Sequence, residues 1–173
     1  FSDNSIVGKY MAVADNKLHV AGTVANPNRV WISGDGLFTT TPSLDCSFPS
    51  NNFVDVPNTR ADLITGLCEW NDDVYVFRNG DVKRIYGQDS ATWGMATVIN
   101  DAGAVGQKAI CKTPYGILFV SSTTIWWWSP DAGDLKDIGV LGGDVIGSAI
   151  LDYACATYHA ATRRVRISFR ETV

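Results

Sequence analysis

Nowhere in this chain does an apolar run approach the ~18 residues that a membrane-crossing helix requires. Only two histidines, His19 and His159, occur in 173 residues. The short patterns that announce common chemistries are missing as well: there is no G-x-S-x-G elbow, no H-E-x-x-H and no G-x-x-x-x-G-K. No C-x-x-C pair with a flanking His suits a zinc site. The opening Phe1-Ser2-Asp3-Asn4 is not a charged leader followed by an apolar core. The chain does not begin with Met and stops at Thr172-Val173 directly after a strand-like segment, so both ends are expected to be cut from something longer. These gaps leave no catalytic, cofactor-binding or metal-binding residue to nominate, and the chain is expected not to be an enzyme.

Basic charge is also scarce. Fourteen Lys and Arg against eighteen Asp and Glu give a formal charge of −4, which argues against a dedicated nucleic-acid surface. One local exception is the cluster Arg163, Arg164, Arg166 and Arg170. Its alternation fits the solvated side of a strand, and the competing reading is a patch that meets DNA phosphates or an acidic partner. A content of 46% hydrophobic and 18% charged residues describes a folded domain and excludes a disordered one. The length suits a single domain over residues 1–173 with a sizeable core.

What the sequence does contain is a repeated phrase. Ala12-Val13-Ala14-Asp15-Asn16-Lys17-Leu18-His19-Val20, Cys68 to Val76 and Cys111 to Phe119 share one layout. Each has a small residue, a polar turn, then an apolar strand that starts six positions after the small residue. A second apolar burst follows each copy: Arg29 to Ser33, Val82 to Tyr86, Thr124 to Trp128. A looser fourth copy runs from Cys155 to Phe169. From Leu18 to Val74, Ile117 and Val165 the intervals are 56, 43 and 48 residues, the range of one four-stranded propeller blade. Nearly every segment between turn residues is β-rich, no amphipathic helix stands out, and Asp144 to Tyr153 is expected to form at most one helical turn. The fold class is therefore all-β, a propeller-like array of about three to four blades over 9–60, 61–106, 107–150 and a partial 151–173. A closed propeller needs roughly four to eight blades, so this one is incomplete. A β-sandwich is the alternative.

Alignment of the repeat disposes of several candidate sites. Of the four cysteines, Cys68, Cys111 and Cys155 occupy the slot held by Ala12. A position that accepts Ala or Cys is a tight buried site, so these read as small apolar residues in a reducing compartment, and Cys46 stands outside the slot. Asp72 and Asp73, and Asp131, Asp134 and Asp137, suggest a glycosidase pair or a calcium site, but they fall in hairpin turns where Asp bonds its own backbone. Ser33-Gly34-Asp35-Gly36 and Ser129-Pro130-Asp131-Ala132-Gly133 resemble the Asp-box turns of sialidase-type propellers without the closing Thr-Trp. Trp126-Trp127-Trp128 invites a sugar-stacking reading, and burial against neighbouring blades is the plainer one. The blade core is expected to include Leu18, Val20, Trp31, Val74, Val76, Ile85, Leu118, Val120, Ile125 and Trp127.

With these residues in hand, the sequence resembles the propeller-containing neck and tail proteins of tailed bacteriophages, of tail nozzle, tail tubular protein B or DNA-stabilisation type. The resemblance rests on Asn28-Arg29-Val30-Trp31-Ile32-Ser33, Phe53-Val54-Asp55-Val56-Pro57, Ile64-Thr65-Gly66-Leu67, Val74-Tyr75-Val76-Phe77, Ile85-Tyr86-Gly87, Gly103-Ala104-Val105-Gly106 and Gly116 to Ser121. It covers roughly residues 10–130, although the chain is far shorter than a full member and lacks most of the tube-forming platform. The resemblance implies a virion location, a ring of identical copies (commonly a hexamer), neighbouring portal, adaptor or tail proteins, and passive contact with the genome passing through the channel. Exposed loops such as Thr39 to Pro57 would contact neighbours. The alternatives are a carbohydrate-binding or glycan-cleaving propeller and a non-viral protein-interaction propeller.

Overall fold

The computed structural model describes residues 6–34, 48–57, 62–139 and 149–171. These residues form β-strands almost throughout, in four small antiparallel sheets, none closed into a barrel. The first sheet is β1 (Tyr10–Ala14), β2 (Lys17–Ala21), β3 (Arg29–Ile32) and β4 (Phe53–Asp55). The second is β5 (Ile64–Trp70), β6 (Asp73–Arg78), β7 (Asp81–Tyr86) and β8 (Gly94–Asn100). The third is β9 (Ile110–Thr113), β10 (Gly116–Val120), β11 (Ile125–Ser129) and β12 (Asp134–Asp137). A hairpin of β13 (Ala149–His159) and β14 (Arg164–Glu171) ends the series. Strand order within each sheet is the order of the chain, the meander expected of a propeller blade.

The repeated phrase is a repeated register. Ala12 pairs with His19, Cys68 with Tyr75 and Cys111 with Leu118, each on the first two strands of its sheet. In the looser fourth copy Cys155 pairs with Ser168 across the longer hairpin. The first strands β1, β5, β9 and β13 lie beside one another, so the sheets fan out from a shared inner edge. Apolar side chains fill the three gaps. Ala21, Val30, Ile32 and Val54 meet Leu67, Val74, Val76 and Ile85 between the first two sheets. Tyr75, Phe77, Val82 and Ile99 meet Ile117, Phe119 and Trp128 between the second and third. Leu118, Val120 and Ile125 meet Ala154, with Ile167 and Phe169 packed around them, between the third sheet and the hairpin.

Seven of the ten expected core residues are buried: Val20, Val74, Val76, Ile85, Leu118, Val120 and Ile125. Leu18, Trp31 and Trp127 are only half-buried. Trp31 pairs with Val20 and Phe53 on the side of the first sheet that, among the described residues, has no sheet against it. Trp127 pairs with Leu118 on the face toward the two-stranded hairpin, which is too narrow to cover it. Lys136, the partner of Trp127 on the neighbouring strand of the same sheet, holds its Nζ 5.7 Å from the ring. Trp126 and Trp128 face the second sheet, as alternation requires, and Trp128 is buried.

Two further expectations need correction. Cys68 and Cys111 are buried free thiols, but Cys155 is exposed, because its face of the hairpin has no sheet beyond it among the described residues. Cys46 lies outside the described residues, as do Asp35, Gly36 and the 39–47 part of the long loop. The expected helical turn at Asp144 to Tyr153 is instead strand from Ala149 onward, the earlier residues lying outside the described ones; a 3-10 turn is found elsewhere, at Gln107–Ala109.

The β6–β7 turn carries the Asn79-Gly80 pair, yet neither residue takes a positive φ. A buried ion cluster shapes it. Arg78, with no solvent exposure, donates from Nε to Asp81 Oδ1 (2.6 Å) and from Nη2 to Asp81 Oδ2, and its Nη1 donates to the Pro57 carbonyl at 2.9 Å. Lys83 lies 3.3 Å from Asp81 and donates to Thr97 Oγ1 at 2.6 Å. The Arg78 carbonyl in turn accepts from Ala104 N at 3.0 Å. One residue thereby ties the turn to the links on both sides of the second sheet. Removing one partner of such a cluster strands the other, so Arg78→Met should lower the unfolding free energy by about 3–5 kcal/mol in urea titration. In native protein a thiol reagent should modify Cys155 and spare Cys68 and Cys111, as residue-resolved mass spectrometry would read out.

Candidate functional site

Two matching turns bound a polar crevice at one end of the array. Asp15-Asn16 joins β1 to β2 and Asn71-Asp72 joins β5 to β6; all four residues have positive φ, between 46° and 64°. Two consecutive left-handed residues make the turn whose twist suits a tight hairpin, and Asn and Asp tolerate it best. The third copy cannot follow, because Pro114 holds φ near −65°. There Thr113 Oγ1 takes over, accepting from Tyr115 N at 3.2 Å and donating to the Gly116 carbonyl at 2.8 Å.

Lys17, His19 and Ala21 share one side of β2, and Ala21 packs into the core with Val74 and Ile85. That side faces the second sheet. Lys17 and His19 therefore enter the gap between sheets from one wall, with Val74 and Ile85 on the other; the Asp73–Arg84 ion pair (2.9 Å) lies on the opposite face of the second sheet, beside Tyr75. Tyr86, Gly87, Gln88 and Trp93 complete a crevice of about 250 Å3. Their hairpin is held by Asp89, whose Oδ1 accepts from Thr92 N (2.9 Å), Thr92 Oγ1 (2.8 Å) and Ala91 N (3.1 Å). Lys17 is almost wholly buried, with Nζ 3.0 Å from Asp15 Oδ2.

His19 is 6% exposed and its Nδ1 has no hydrogen-bond partner. Burial pushes the ring's pKa down to about 4, against an opposing pull from the Lys17 carbonyl and Asp15 and with the Lys17 ammonium acting alongside burial. The imidazole is neutral at pH 7. In the gap the neutral ring therefore sits beside the Lys17–Asp15 ion pair.

The carboxylates singled out from the sequence do not gather. Asp73 pairs with Arg84. Asp131 reaches the neighbouring sheet, accepting from Trp70 Nε1 at 3.1 Å and Asn71 Nδ2 at 3.0 Å, a bond between blades and not one to its own turn. Asp137 accepts from Thr124 Oγ1 at 2.5 Å and from Gly139 N at 2.9 Å, and Asp134 is exposed at the start of the outer strand β12. Among the described residues no three metal-ligating side chains converge. Cys68 makes a poor nucleophile, since burial pushes its thiol up to about 12. His159 sits exposed in the last hairpin, its Nδ1 2.9 Å from Thr162 Oγ1. No family model matches the chain, and no curated protein matches it with significant similarity.

The other prominent surfaces are the two ends of the array. On the uncovered side of the first sheet, Met11 is 65% and Val13 42% exposed, beside half-buried Leu18, Trp31 and Phe53. At the far end, Cys155, Thr157, Arg164 and Arg166 cover the outward face of the hairpin, with Arg163 in its turn at φ 52°. The basic cluster is on the solvated side of its strand; the side chain of Arg170 lies outside the described residues. Lys17, His19, Arg84 and Trp93 went unnominated, because nothing in Lys17-x-His19-x-Ala21 reveals that this face of β2 is the covered one.

The depressed pKa of His19 has a direct consequence for stability. The unfolded chain takes up this proton near pH 6.5, and the folded chain only near 4. Stability is fully present above pH 6.5 and falls between 6.5 and 4, by up to about 3 kcal/mol. His19→Gln should flatten that part of the pH profile measured by urea unfolding; an unchanged slope would assign the loss to other groups.

Proposed function

We propose that this chain is a non-enzymatic structural part of a tailed-phage neck or tail conduit, working as a rigid blade array that neighbouring protein completes. The observation that carries the reading is the end face of the first sheet, where Met11, Val13, Leu18, Trp31 and Phe53 lie side by side, Arg29 stacked on the two rings, with no other sheet of the described residues over them. Contiguous exposed apolar surface of this kind marks an interaction site. Matching positions on the second and third sheets, Leu67, Val74 and Ile117 among them, are covered by the blade before them. The resemblance of residues 10–130 to phage propeller proteins supplies the class of assembly: copies of the chain around an axial channel, in contact with portal, adaptor or tail neighbours. Its work is then mechanical, with the fanned sheets as scaffold and the end faces as joints.

Electron microscopy of the whole polypeptide that contains this chain should show rings with an axial channel. In sedimentation, Met11→Glu combined with Val13→Glu should abolish association while moving the unfolding free energy by no more than about 0.5 kcal/mol, as expected for exposed positions. A monodisperse monomer at all micromolar concentrations, unaffected by the double substitution, would sink the reading.

A further inference from the structure

We propose that the free edge of β14 takes an extended segment of a neighbouring protein, acidic at alternate positions and apolar between them, as a third strand of the last sheet. The proposal concerns the far end of the array and stands apart from the conduit reading, which rests on the face of the first sheet. Strand count comes first. Three sheets have four strands each and the last has two, so among the described residues no strand lies beyond β14. An eight-residue edge strand presents a row of unpaired N–H and C=O groups, a template for one more strand.

The inner face of the hairpin dictates one side of the added strand. β7 and β11, the third strands of their sheets, bring Ile85 and Trp128 onto the sheet before. The hairpin has no counterpart to them among the described residues. Val165, Ile167 and Phe169 stay half-buried, and so does Trp127 on the third sheet opposite. Apolar side chains at every second position of an added strand would extend this layer and cover the Trp127 ring.

The outer face dictates the other side. Residues 153–169 contain three arginines and no Asp or Glu, in a chain whose net charge is −4. Lys17, Arg29, Arg78, Lys83, Arg84 and Lys112 each meet a carboxylate, whereas Arg164 and Arg166, both exposed, meet none among the described residues. Two positions apart on one strand, they point the same way with Cα atoms roughly 7 Å apart, the spacing of alternate residues on a neighbouring strand. Opposite charges that face each other across two strands stabilise the pairing, and like charges destabilise it. The edge therefore repels a second copy of itself, which would set arginine against arginine, and selects a strand with Asp or Glu at those positions. A phosphate chain would meet the arginines as well, but it brings neither apolar side chains for the inner face nor backbone amides for the edge.

The test is an NMR titration of the isotope-labelled chain with three capped heptapeptides: alternating Glu and Val, alternating Lys and Val, and the Glu and Val composition arranged in two blocks. An oligothymidylate of the same length is the phosphate control. The alternating acidic peptide should bind saturably, shift the Trp127 indole signal and slow amide exchange at alternate residues of 164–171, the mark of backbone pairing. Arg164→Glu combined with Arg166→Glu should weaken it roughly tenfold or more and make the lysine peptide the better ligand. Amide exchange needs no variant, so it decides should charge reversal perturb the hairpin. No saturable binding, equal binding of the block peptide, unchanged exchange along β14, tighter binding of the oligonucleotide, or no reversal of preference in a folded double variant would each overturn the proposal.

Discussion

Val76 and Phe77 are neighbours on β6, point to opposite faces of their sheet, and are both wholly shielded from water. Val76 belongs to the core shared with the first sheet and Phe77 to the core shared with the third. A single-layer sheet with two apolar faces cannot stand by itself in water; it needs a sheet on each side. The gaps are closed by specific contacts, with Phe77 meeting Phe119 at 5.3 Å and Tyr75 meeting Trp128 at 4.9 Å, both edge to face. Every other feature of the molecule follows from this demand, including the two ends where it is unmet.

Polar groups are fitted into this stack at its joints. Arg78 is the principal one: its guanidinium binds Asp81 and the Pro57 carbonyl, and its own carbonyl holds Ala104. Gly103 lies so close that an added Cβ would come 1.9 Å from that carbonyl oxygen, which leaves no room for any other residue. Asp131 does comparable work on the third sheet by reaching Trp70 and Asn71 on the second. Glu69 and Lys112 form an ion pair across the same boundary. Such bonds set the angular position of one sheet against the next, which apolar contact by itself would leave free to slide.

The repeat was legible because a blade places its residues by strand period and turn length, and both are local. The small residue, the turn and the apolar strand recur with one pairing offset in three sheets, and the offset can be counted from the sequence. The type of the Asp15-Asn16 and Asn71-Asp72 turns follows from their residues too. Which face of a strand is covered could not be read in this way. Trp31 and Val76 occupy similar apolar strands, and only their place in the series makes one half-buried and the other inaccessible. Cys155 fills the same slot as Cys68 and Cys111 yet is exposed, for the same reason. The crevice around His19 was invisible because its walls come from β2 and from the β7–β8 hairpin, far apart in the chain.

By itself, then, the sequence determined the all-β class, the period of the blades and the register within each sheet, since these depend on contacts between residues close along the chain. The tertiary structure decided which small residues are buried, which acidic residues tie sheets together, and where a neutral histidine is sealed beside an ion pair. Those outcomes depend on which sheet lies against which face, a matter of long-range packing that strand periodicity does not encode.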